Sequence, residues 1–150
     1  MRDASAGLVA CDQLAGEAWP DGVQVEDLGY GAIYASQDIA DFRPDRLILL
    51  AGVQRDREPG RIYRSRWQPV DTPPAQLQEI IREAGAGIIE LDHLLAVAHH
   101  FRALPREVVL LEIEPVEARG GDGLSQRVQQ LLPELLAAAR QEAVAVGLAA

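Results

Sequence analysis

At 150 residues, with 48% hydrophobic and 25% charged side chains, the chain has the length and balance of one ordinary globular domain, residues 1–150. A net charge of −9 from 23 acidic and 14 basic residues argues against nucleic acid or an anionic membrane as the main partner and points to a protein or a small molecule. All the basic residues are arginine, which excludes Schiff-base and P-loop lysines, and the single Cys11 excludes an intrachain disulfide or a cysteine zinc knuckle.

A reducing cytoplasm fits this cysteine usage. The N-terminus has no signal pattern, and no apolar run approaches the roughly 20 residues that cross a bilayer. The expected location is therefore cytoplasmic.

In chain order, Leu8, Val9, Cys11 and Leu14 have helical spacing and predict a short helix over 7–14, closed by the turn Trp19-Pro20-Asp21-Gly22. Val23 and Val25 alternate with Gln24 and Glu26, predicting a strand that ends in the loop Asp27-Leu28-Gly29-Tyr30-Gly31. Residues 33–42 read as an amphipathic helix stopped before Pro44. The near-continuous apolar run 46–53 predicts a central strand buried on both faces. Residues 61–67 alternate in the manner of a strand near the sheet edge with one wet face.

Pro73-Pro74 open a helix that carries Leu77, Ile80 and Ile81 and ends at Gly85. A second helix is expected from about Glu90 to Ala103, a last strand over 107–113, and a long helix beginning near Ser125. Alternation of strands and helices predicts an α/β fold: a three-layer sandwich whose twisted, mostly parallel sheet of four to five strands is covered by helices on both faces.

Four segments, in this order, resemble the nickel-iron hydrogenase maturation endopeptidases. They are Met1-Arg2-Asp3-Ala4-Ser5-Ala6-Gly7; Asp27-Leu28-Gly29-Tyr30; Arg43-Pro44-Asp45-Arg46 with its apolar run and Pro59-Gly60-Arg61-Ile62; and the stretch from Leu104-Pro105 through Glu112-Ile113-Glu114-Pro115 to Gly123-Leu124-Ser125. The resemblance implies a five-stranded sheet whose first strand and Gly-x-Gly-Asn turn would precede Met1. It implies a peptidase that recognises nickel in the hydrogenase large subunit and removes that subunit's C-terminal extension. The loop holding Asp27, Gly29, Tyr30 and Gly31 would then recognise the substrate.

The same resemblance implies three metal-contacting side chains. Ala4 stands at the first position, with Asp3 beside it, and Ala51-Gly52 at the second. The third falls at Glu90 when counted without a gap from the last strand, or at Ala86 or Gly87 with gaps; His93 lies one turn away. Alanine has no donor atom, and one remaining ligand is too few to define a nickel or zinc site. No catalytic residue is therefore assigned. The metal candidates are Asp3, Glu90 and His93, the last two being three apart on one helix and able to share a face or simply to form a solvated pair.

His99-His100 suggests a metal handle, yet adjacent helical residues face about 100° apart, which favours a plain surface pair. Asp92 beside His93 reads as a charge near a helix N-terminus. Cys11, on an apolar helical stripe, reads as a buried structural thiol. These readings leave a maturation protease homologue, whose only metal is the substrate's nickel, beside a non-catalytic protein that binds the large subunit or another maturation factor.

Overall fold

The computed structural model describes residues 3–28, 32–83, 91–116 and 123–149. A 3-10 turn, Asp3–Ser5, leads into α1 (Ala6–Ala15); α2 (Ala32–Phe42), β1 (Arg46–Gly52), β2 (Ile62–Arg66), α3 (Pro74–Glu83), α4 (Leu91–His100), β3 (Glu107–Ile113) and α5 (Gln126–Ala149) follow. The fold class is mixed α/β, as the alternation predicted. No helix among the described residues is long and apolar enough to cross a membrane.

The described strands form one sheet in the order β1-β3-β2. β2 runs antiparallel to β3, with Ile62 opposite Ile113 and Arg66 opposite Val109, an antiparallel pair within a sheet expected to be mostly parallel. The edge position predicted for 61–67 holds. The central place predicted for the run 46–53 is not seen among the described strands, where β3 is the middle one, buried from Val108 to Ile113, and only Leu49 of β1 is buried. Glu112 breaks the apolar continuity of β3 in sequence, but arginines meet its charge, so it is carried inside.

Three strands are present among the described residues, against the four to five expected. Residues 23–28 form no regular element. Val23 N–H donates to the carbonyl of Pro20, closing the turn, and Val25 packs half-buried on the core. The Val-x-Val alternation thus records a core contact and not a ladder.

The chain divides into two compact units. The first contains Met1–Asp27, Ile48–Arg66 and Val109–Ala150. Its core joins Ala6, Ala10 and Leu14 of α1, Val109, Leu111 and Ile113 of β3, and Val128, Leu131, Leu132, Leu135, Leu136 and Ala139 of α5. Each helix contributes residues three and four apart, one apolar stripe per helix. Pro133 lies inside α5 yet is exposed, so its ring leaves the packed stripe undisturbed.

The second unit contains Leu28–Leu47 and Trp67–Val108. Ala32, Ile80 and Val97 form one cluster and Ile39, Ala98 and Ala103 another, the small alanines allowing α2 and α4 to approach. Arg43 and Arg102 follow the last turns of α2 and α4 with φ of 53° and 56°, in the left-handed conformation that closes a helix. A cation there also complements the helix dipole.

Candidate functional site

The first unit gathers buried charge where β3 ends. Asp3 is fully buried, and its carboxylate joins three chain-distant groups. Oδ2 accepts from Val116 N–H at 2.8 Å and from the Ser125 hydroxyl at 2.9 Å; Oδ1 accepts from Ser125 N–H at 2.8 Å. Ser125 immediately precedes α5 and its carbonyl accepts from Gln129 N–H, so the Asp3 anion also lies at the positive end of that helix.

Directly after Asp3, the chain packs on β1. A β-carbon on Gly7 would fall 2.1 Å from the carbonyl oxygen of Leu50 and 3.0 Å from the Ala51 α-carbon, so only glycine permits this approach. Gly7→Ala is expected to destabilise the fold by about 1–3 kcal/mol through overpacking against a backbone that cannot yield locally. Urea unfolding should show a lower midpoint with an unchanged slope.

At the end of β3, Glu112 and Glu114 are almost completely buried, and the segment after β1 supplies their counterions. Arg55 donates its backbone N–H to both Glu114 oxygens, at 2.9 and 3.2 Å, and its Nε to Glu112 at 2.8 Å. Arg57 Nε reaches Glu114 at 2.8 Å, its Nη1 reaches Glu112 at 3.2 Å, and its guanidinium lies 4.1 Å from the centre of the Tyr63 ring. Burial pushes the Glu114 carboxyl up, but hydrogen bonds from Arg57 and from the Arg55 backbone outweigh it and hold the group below the usual carboxylate range.

Each residue singled out in the sequence has a plain position. Asp3 is a buried clamp whose oxygens are already engaged. Ala51 is the next-to-last residue of β1, beside Gly7, and offers no donor. His93 is half-buried on α4 in the second unit; Glu90, Ala86 and Gly87 lie outside the described residues, as do Gly29, Tyr30 and Gly31. Asp27 is exposed. Cys11 is half-buried where a buried thiol was expected; burial still pushes the thiol up to about 11, with Asp27 and Asp12 adding to the shift, which makes it a poor nucleophile.

In the second unit, His99 Nε2 lies 3.3 Å from Asp71 Oδ1 and its ring meets Trp67 edge-on. His99 and Asp71, together with Leu77, Ala96 and Arg102, line an open cleft of about 420 Å³. His100 also lines this cleft, but its ring meets Phe101 edge-on while that of His99 meets Trp67. Among the described residues no group of three or more His, Cys, Asp and Glu side chains could hold a metal ion. The described donors do not by themselves fit a resident metal.

The arginine-glutamate cluster was missed in the sequence. Its signal is the matched spacing of Arg55-Asp56-Arg57 and Glu112-Ile113-Glu114, pairs of opposite charge two residues apart that a strand and a loop can bring face to face.

No family model matches this sequence, and no curated protein matches it as a relative. Solved structures do. An endopeptidase from Escherichia coli superposes with a TM-score of 0.71 at 22% identity, covering 95% of this chain and 84% of its own. The hydrogenase 2 maturation peptidase from Thaumarchaeota archaeon SCGC_AB-539-E09 gives 0.64 at 24% identity, covering 95% and 89%. The hydrogenase maturating endopeptidase HybD from E. coli gives 0.66 at 20% identity, covering 95% and 86%. This chain has the fold of the hydrogenase maturation peptidases.

Proposed function

We propose that the chain is a hydrogenase maturation protease homologue that acts on the C-terminal extension of a nickel-loaded nickel-iron hydrogenase large subunit. The observation that supports this reading is the fold likeness to maturation peptidases across 95% of the chain. The nickel belongs to the substrate. Asp27, Gly29, Tyr30 and Gly31 are proposed to contact the large subunit, the glycines allowing close backbone approach.

A second reading, binding without cleavage, is favoured by a specific observation: Ala51 has no donor atom, and the Asp3 carboxylate is spent on Val116 and Ser125. One experiment separates the two. Incubated with the nickel-loaded precursor, the first reading expects the extension to be removed, seen as a mass shift. The second expects the precursor to be retained in a pull-down uncut, with retention weakened by Gly29→Val and cleavage appearing only in the double variant Ala4→Glu, Ala51→Asp. A precursor neither cut nor retained would overturn both.

A further inference from the structure

The positive charge of this acidic chain concentrates along β2 and the segment leading to it, where Arg55, Arg57, Arg61, Arg64 and Arg66 all fall. Arg55 and Arg57 turn to the buried glutamates, while Arg64 and Arg66 belong to the exposed end of the strand. β2 is also a terminal strand of the described sheet. Its ladder fixes which backbone groups point outward. Glu114 N–H donates to Arg61 O and Trp67 N–H to Val108 O, so odd-numbered residues turn toward β3. In an antiparallel pair that direction alternates, so Ile62 and Arg64 aim their N–H and C=O groups at the edge that no other strand among the described residues occupies.

An edge of this kind is a template for another extended chain, and the arginines decide which one. A second copy of β2 laid antiparallel on it would set arginine against arginine, and like charges directly opposite destabilise a pair. An acidic segment has the reverse effect. Arg61 pairs with Glu58 at an exposure where ion pairs are worth about 0.2–1 kcal/mol, and Arg64 pairs with the largely buried Glu142 while much of its own side chain stays exposed, so an incoming carboxylate can replace the first pair and join the second.

We propose that the outer edge of β2 takes up an extended acidic peptide segment of a partner protein as an additional strand, with carboxylates at alternate positions opposite Arg64 and Arg66. Backbone hydrogen bonds to Ile62 and Arg64 supply the attachment, and the arginines supply the choice. This goes beyond the function proposed above and requires neither cleavage nor nickel, so either can fail alone.

The test uses the whole chain and a fluorescent peptide alternating glutamate and threonine, with one control carrying lysine for glutamate and another carrying a central proline. Anisotropy is expected to show binding weakened about tenfold or more by either control, and amide exchange should slow at Ile62 and Arg64. Arg64→Pro should abolish binding and keep the fold, because the lost N–H is not used in the ladder with β3. Arg64→Gln should retain part of the affinity. If the proline variant does not fold, exchange at Ile62 and Arg64 in the unaltered chain decides. Equal affinity for the proline peptide, binding without slowed exchange at those two amides, self-association that protects the same amides, or no binding at millimolar peptide would each overturn the proposal.

Discussion

Asp3→Ala is expected to lower stability by about 3 kcal/mol or more. The substitution leaves Val116 N–H, Ser125 N–H and the Ser125 hydroxyl without their acceptor, and each buried unsatisfied group costs about 1–3 kcal/mol. It also removes an anion from the N-terminus of α5, worth a further ~0.3–1 kcal/mol. Asp3→Asn keeps one acceptor oxygen but turns an amide toward donors, so it should fall between alanine and the parent. Denaturant unfolding measures both. A carboxylate kept for metal would behave otherwise, since its removal from the metal-free protein relieves a charge and leaves stability unchanged or raised. An unchanged midpoint in Asp3→Ala would therefore remove the clamp and return Asp3 to the ligand candidates.

How much of this was legible in sequence depended on whether the signal was local. The helices and the strand 107–113 were readable because apolar spacing and Pro/Gly punctuation act over a few residues; β3 matches its predicted bounds. Which strand is central was not readable. Runs 46–53 and 107–113 are both apolar, and the strand order depends on pairing across more than forty residues of chain, which no local pattern encodes. Val23 and Val25 misled for the opposite reason: period-two alternation reports a half-buried extended segment whether or not a neighbouring strand pairs with it.

The site divides in the same way. Two alanines where carboxylates were expected could be read directly, since a missing donor is visible without coordinates. That Asp3 is a helix-capping clamp could not, because its partners lie at Val116 and Ser125, far along the chain. The buried arginine-glutamate cluster needs the same long-range pairing. Residues that work by completing one another across the sequence leave only compositional traces in it.

The second large effect belongs to that cluster. Glu114→Ala is expected to destabilise the fold by about 3–5 kcal/mol, because it strips a buried carboxylate from Arg57 Nε and from the Arg55 backbone while leaving the Arg57 charge half-buried. Glu114→Gln, which keeps a carbonyl acceptor for Arg55 N–H, should cost less at neutral pH and provides the pH test. The Glu114 carboxyl is held below its ordinary range when folded, so its ionised form stabilises the protein above the unfolded value near ~4.3. That contribution is lost as pH falls through the lower, folded value. Urea unfolding of the parent and Glu114→Gln should thus show a stability gap that is full at neutral pH and narrows between about pH 5 and the acid limit. A gap that stays constant through the acid range would mean that Glu114 acts through packing and hydrogen-bond geometry alone, and that its charge contributes nothing to holding the segment after β1 against β3.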